Sequence, residues 1–205
     1  MLFEDRIHLC FPAVAGSQRA NSQSVNVAHN LKSLALDHFD RADVLDLHQL
    51  DLPLWNEGVW QGTDEWQQWT PIAETLKQSD AVILITPEWH GMATPALKNF
   101  LLLTTDDELA HKPVLLVTVS ASVNGVYPIS ELRMTGSKNN HACILPDHLI
   151  FRNIEQLLTE QHQCIDPAMH QRSEYTLSLL ASYARALAPV HRDMVSVGKP
   201  FRYGM

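Results

Sequence analysis

The chain has 205 residues, 45% hydrophobic and 19% charged, with a formal net charge of −8. That composition fits one globular domain over residues 1–205, and the negative balance argues against a nucleic-acid backbone or an anionic membrane as partner. No apolar run is long enough to span a bilayer. Three cysteines (Cys10, Cys143, Cys164) form an odd, sparse set better read as reduced thiols than as a disulfide framework. Residues 1–6 carry acids early and lack a leader pattern. The expected compartment is the cytoplasm.

Strand-like and helix-like segments alternate. Ile7–Ala13 is an apolar run that ends in the turn-rich loop Gly16–Ser22. Val27, Ala28, Leu31, Leu34 and Ala35 then recur at helical spacing. Ala42–Leu47 reads as a second strand, residues 48–63 as irregular, and a helix started or kinked at Pro71 leads into the strand Ala81–Ile85. After it comes a loop rich in Pro, aromatic, His and Gly residues, closed by a helix start. Thr94 can cap that helix, and Pro95 suits its first turn because the missing N–H is an orphan there. Pro113–Val119 is the next apolar strand and empties into Ser120–Gly125. A helix without clear limits follows, and His141–Leu145 reads as a fifth strand. Asp166 caps a last helix that should stop before Pro189, leaving the basic, aromatic stretch 190–205 as an unplaced, frayed tail. Short apolar strands alternating with helices predict an α/β fold with a parallel sheet covered on both faces.

Three loops share one position, after a strand and before a helix, and such loops gather along one edge of a doubly wound sheet. The first offers Ser17, Arg19, Asn21, Ser22 and Ser24 at a helix N-terminus. Hydroxyls, backbone N–H groups and a guanidinium suit a phosphate or other oxyanion, while any one hydroxyl alone would serve as an ordinary helix cap. The loop lacks Gly-x-Gly-x-x-Gly, and no phosphate loop ending in Gly-Lys-Ser/Thr occurs in the chain, which argues against a Rossmann dinucleotide site and against a nucleoside triphosphatase. Ser120 and Ser122 lie in no nucleophile elbow. The eleven histidines show no zinc spacing and read as scattered surface groups, so no metal is expected. Trp55, Trp60, Trp66 and Trp69 read as core or interface packing rather than a substrate platform. Cys10, within the first strand, should be buried and inert.

With these residues in view, the chain resembles the NADPH-dependent FMN reductase family, whose members include flavin, quinone, azo-dye and chromate reductases. The family opens with a strand and Gly-Ser-x-Arg-x-x-Ser-x-Asn, and here stand Gly16, Ser17, Arg19, Ser22 and, in place of Asn, Ser24. Its Asp-x-Pro-aromatic and Ala-Asp-Ala regions correspond to Leu52-Pro53-Leu54-Trp55 and Ser79-Asp80-Ala81. Its Pro-Glu-Tyr-Asn/His-Gly block, leading to Leu-Lys-Asn, stands here as Pro87-Glu88-Trp89-His90-Gly91 and Leu97-Lys98-Asn99. After Lys112-Pro113-Val114, its Ser-x-Gly-x-x-Gly-Gly loop reads Ser120-Ala121-Ser122-Val123-Asn124-Gly125-Val126, with two of three glycines replaced. These matches cover about two thirds of the chain.

The resemblance implies a flavodoxin-like three-layer sandwich with a five-stranded parallel sheet. It implies FMN as cofactor and NADPH or NADH as co-substrate, with a hydride passing from nicotinamide to FMN and on to a quinone, azo, metal or free-flavin acceptor. The alternative is a non-catalytic electron carrier, sensor or interaction module on the same fold. By the same resemblance Ser17, Arg19, Ser22 and Ser24 bind the FMN phosphate. Pro87, Glu88, Trp89, His90 and Gly91 line the ring, and Ser120, Ser122, Asn124 and Gly125 close its other side. No side chain is required as a catalytic nucleophile. Glu88 reads equally as a solvated carboxylate or the partner of a basic group, and His90 as a modulator that hydrogen-bonds flavin or substrate. Lys98 and Asn99 should fix the loop or meet a neighbouring subunit. A homodimer or homotetramer is expected, with a small-molecule electron acceptor as partner.

Overall fold

A computed structural model describes residues 8–201. The expected strand start at Ile7, the leader reading of residues 1–6 and the last four residues of the tail lie outside them. Five strands, β1 (Cys10–Ala15), β2 (Arg41–Asp46), β3 (Val82–Pro87), β4 (Pro113–Val119) and β5 (Cys143–Phe151), form a parallel sheet ordered β2-β1-β3-β4-β5. Both faces are covered, so the strands read as apolar runs, yet side chains still alternate. Phe11, Ala13, Ile83, Ile85, Leu115 and Val117 face one layer made by α1 (Gln23–Ala35) and α8 (Pro167–Gly198). Val14, Val82, Leu84, Val114 and Leu116 face the other, made by α4 (Trp69–Lys77), α5 (Pro95–Leu103) and α7 (Tyr127–Thr135). This is the flavodoxin-like architecture.

Most strand ends shift by one or two residues from the pattern reading, and two elements run well past their expected stop, both across a proline. The fifth strand does not stop at Leu145. Its pairing with β4 slips between Val114 and Leu116, so the Leu145–Asp147 segment bulges past Pro146 and pairing resumes at His148. The last helix does not stop before Pro189, which lies inside α8 and is exposed. Proline removes one N–H from the helix ladder, and contacts beyond it hold the extension. His191 Nδ1 is 2.7 Å from Ala110 O, and Lys199 Nζ pairs with Asp107 at 2.5 Å and with Asp106 at 3.2 Å.

The irregular stretch expected at 48–63 contains two single turns, α2 (Leu47–Leu50) and α3 (Gly58–Gln61), and a further turn, α6 (Asp106–Leu109), precedes β4. Trp66 and Trp69 are core residues, whereas Trp60 is exposed and meets Trp55 edge-on at 5.3 Å between centroids. Cys10 is half-buried rather than buried, with its thiol 3.2 Å from Gln78 O. Burial and then Asp80 push that thiol's pKa up, which keeps it protonated and unreactive. Among the described residues no helix is long and apolar enough to cross a membrane.

Candidate active site

The sheet order places β2 on one side of β1 and β3 on the other, so the direction in which strands are added across the sheet reverses between β1 and β3. At such a switch point neighbouring loops diverge and leave a crevice beyond the carboxyl ends of the strands. The loops after β1, β3 and β4 all open there. The loop Gly16–Ser22 is anchored to its neighbour by Gly16 N–H donating to Ile85 O at 2.7 Å and by the Thr94 hydroxyl donating to Gly16 O. Thr94 also caps α5, accepting from Leu97 N at 3.2 Å, as its sequence context predicts.

Within the first loop Ser17 is buried and its hydroxyl accepts from Arg19 N at 3.2 Å. Ser22 caps α1, accepting from Val25 N. The Arg19 side chain is exposed, and α1 has no acid in its first turn. The N–H groups of Ala20, Asn21 and Ser22 have no hydrogen-bond partner among the described residues. Unsatisfied donors at the positive end of a 13-residue helix, beside an unopposed guanidinium, are what an anion needs. Ser24, the fourth expected phosphate ligand, lies in the first turn of α1. It is fully buried on α1, and its hydroxyl has no partner among the described residues.

The second loop is a tight turn. Trp89 and Met92 exchange both backbone hydrogen bonds, at 3.1 and 2.9 Å, across His90 and Gly91. Both central residues have positive φ, +51° and +73°, as a type I′ turn demands. This accounts for His90, since histidine and asparagine are the non-glycine residues that most readily enter the left-handed region. The His90 side chain is exposed. A Cβ on Gly91 would meet the Tyr127 ring at 3.8 Å, so that largely exposed ring lies against the turn.

Glu88 is half-buried rather than solvated, and among the described residues it pairs with no base. Its backbone N–H donates to Val119 O at 3.0 Å and its carboxylate accepts from Gly125 N at 2.7 Å, stitching the second loop to the third. Gly125 has φ +111°, and its carbonyl accepts from the Thr118 hydroxyl at 2.5 Å. The rest of the third loop is self-organised. The Ser120 hydroxyl accepts from Ser122 N at 3.2 Å, and that of Ser122 from Asn124 N at 3.5 Å. Arg152 Nε donates to Val123 O and Asn124 O at 2.7 and 3.1 Å. Ser122 and Asn124 are exposed, and Ser120 is buried at the loop's base.

Lys98 and Asn99 fix loops. Asn99 accepts from Trp55 N at 2.7 Å and donates to Pro53 O at 2.8 Å. Lys98 Nζ reaches Glu131 Oε1 at 2.8 Å, while Glu131 Oε2 accepts from Ala93 N at 2.7 Å. Burial pushes the Glu131 carboxyl up, but the bonds from Lys98 and Ala93 outweigh it and hold its pKa below the ordinary value. Tyr127, Glu131 and Arg152 escaped the sequence reading because each acts across the sheet edge, and no local spacing marks them. Among the described residues no group of three His, Cys, Asp or Glu side chains could hold a metal ion.

The molecule can be set beside known proteins. It is 35% identical over 89 residues to an NADPH azoreductase from a Bacillus species, covering 43% of this chain and 48% of that one. It is 31% identical over 127 residues to an FMN-dependent NADPH-azoreductase of Staphylococcus aureus, covering 59% and 65%. The matches thus span less than two thirds of these relatives' length. In structure it is similar to a flavoenzyme NAD(P)H:(acceptor) oxidoreductase from Paracoccus denitrificans, with a TM-score of 0.72 over 87% of this chain and 98% of that one, at 18% identity, a likeness of fold. Residues 12–156, well over half of the chain, match the family described as NADPH-dependent FMN reductase, and the chain belongs to that family.

Proposed function

We propose that the protein is an NAD(P)H-dependent, FMN-containing oxidoreductase whose acceptor is a small molecule of the quinone, azo, metal or free-flavin class. The observation that carries this reading is the convergence of three cross-bonded loops at the β1/β3 switch point, with an anion-ready helix end at one side. When bound, FMN supplies a ring that takes a hydride from nicotinamide and returns two electrons to the acceptor. The Arg19 guanidinium, the Ser17 and Ser22 hydroxyls and the N–H groups of residues 20–22 hold its phosphate. The turn from Trp89 to Met92, with Pro87 before it, forms one wall for the ring. Its His90 and Gly91 N–H groups, unengaged among the described residues, can donate to the ring's pyrimidine edge. The Ser120–Gly125 loop forms the opposite wall, and Glu88 sets the distance between the walls through Gly125. Ser24 supports the first loop from beneath.

Tyr127 and Met92 lie exposed by the turn and give the acceptor an apolar landing surface. The protein works as a single cytoplasmic flavodoxin-like domain that assembles as a homodimer or homotetramer. Anaerobic addition of NADPH to FMN-loaded protein should bleach the yellow flavin absorbance, and a quinone should restore it. Failure to bind added FMN would sink the reading, and flavin binding without reduction would favour a carrier or sensor.

A further inference from the structure

Beside the third loop lies a second concavity. An open cleft of about 520 Å³ runs between the end of β5 and the first turns of α8, lined by Ile150, Arg152, Leu157, Asp166, Met169 and Arg172 among others. Arg152 belongs to both places. Its Nε holds the Ser120 loop through Val123 O and Asn124 O, and its two terminal nitrogens make no hydrogen bond among the described residues. Arg172 pairs with Asp147 at 3.0 Å and has its guanidinium 5.5 Å from the Tyr175 ring centroid, which leaves several of its five donors unassigned.

The acids at the cleft are already engaged. Asp166 accepts from Ala168 N at 2.8 Å and Met169 N at 3.4 Å as the cap of α8, and Asp147 is the partner of Arg172. A third guanidinium, Arg133, donates to Pro146 O at 2.6 Å. Burial first, and then Arg133, Arg172 and Arg152 against Asp147, hold the nearby His148 below its ordinary pKa. Three guanidinium groups thus gather at this edge of the sheet in a chain of net charge −8. Forked guanidinium donors beside the apolar surface of Ile150, Leu157 and Met169 match a phosphate attached to a flat, apolar-faced base.

We propose, resting on the flavin site described above, that this cleft receives the adenosine-phosphate half of the nicotinamide co-substrate, with Arg152 and Arg172 holding a phosphate. A nicotinamide laid on a ring walled by the Ser120 loop leaves the rest of the dinucleotide to run outward, and Arg152 stands on that loop's outer side. No bond forms or breaks in the cleft. It binds and orients, and the hydride moves at the other end of the molecule.

Isothermal titration with adenosine 2′,5′-bisphosphate and, separately, with ADP reads this binding without turnover. Arg152→Ala and Arg172→Ala should each weaken it about tenfold. Asp147→Asn, which frees Arg172 from its carboxylate, should strengthen it by about twofold or more. Loss confined to the bisphosphate assigns the 2′-phosphate, and loss shared with ADP assigns the diphosphate. No binding of either probe by the unaltered protein overturns the proposal. So does unchanged affinity in both arginine variants, or weakening by Arg172→Ala and Asp147→Asn alike, the mark of a purely structural pair. FMN titration on the same samples separates the two failures. Unaltered protein that takes no FMN refutes the flavin site, whereas intact FMN binding with indifferent arginine variants refutes the cleft alone.

Discussion

Gly125→Ala tests the geometry of the third loop. Two costs add at this position. The backbone sits at φ +111°, where an L side chain is strained, typically by about 1–3 kcal/mol. A Cβ there would also overlap Ile150 Cγ2 far inside van der Waals contact, and overpacking of this kind costs about 1–3 kcal/mol. Together they predict a loss of about 2–6 kcal/mol, or roughly 10 °C in Tm for a chain of this size. Urea unfolding followed by tryptophan fluorescence measures it, since Trp66 and Trp69 are core residues. The two costs separate in a double-mutant cycle. Ile150→Ala removes Cγ2 and costs about 1–3 kcal/mol by itself at this half-buried site. Combined with Gly125→Ala it should relieve the overlap but not the backbone strain, giving a compensating coupling of about 1–3 kcal/mol. Additivity within about 0.5 kcal/mol would refute the contact. A single-variant cost below about 0.5 kcal/mol would refute both parts of the reasoning.

Three further outcomes are expected. Arg19→Ala should weaken FMN binding by about 1.5–3 kcal/mol, the range for a hydrogen bond to a charged group, read by flavin fluorescence; unchanged affinity would show the phosphate clamp is misplaced. Lys112 is buried with Nζ donating to Leu76 O at 2.6 Å and Lys77 O at 2.9 Å, and burial lowers its pKa from 10.5 to about 8. Below pH 8 it is charged whether the chain is folded or not. Above that the unfolded chain alone keeps the proton, so stability should rise by about 3 kcal/mol between pH 8 and 10.5. Lys112→Met should flatten that rise in urea titrations at pH 7.5 and 10, and parallel curves for the two proteins would contradict it. Glu131 has a lowered folded pKa, so its stabilisation is present above its ordinary value of 4.5 and fades as pH falls through the folded one. Glu131→Gln should therefore lose stability at pH 7 while narrowing its deficit at pH 3, and an equal deficit at both values would remove the Lys98–Ala93 clamp from the account.

The parts of the fold legible from sequence are those written in local chemistry. Thr94-Pro95 announces a capped helix and Asp166-Pro167 another, and both caps form with the expected hydrogen bonds. The apolar strand Pro113–Val119 stands at the residues its pattern marks. Leu145 and Pro189 do not end their elements, because a following or internal proline ends an element only when nothing distant compensates. The β-bulge does so for the first, and the bonds from His191 and Lys199 do so for the second. The candidate site divides the same way. Ser22 was readable as a cap, but that Glu88 serves Gly125 depends on two loops about 37 positions apart meeting over the sheet. The turn at His90 was visible as a suspicious cluster, while its cause, a pair of left-handed residues, appears only with the backbone.

The 32-residue helix α8 is about 48 Å long, and it runs from Asp166, beside the loop crest, to a far end moored at Ala110 and Asp106–Asp107 ahead of β4. The end of α8 therefore lies at the edge of the sheet opposite the crevice. A tether fixed at that end of α8 to an electrode or bead would hold the molecule with its loop crest turned outward, open to diffusing small molecules.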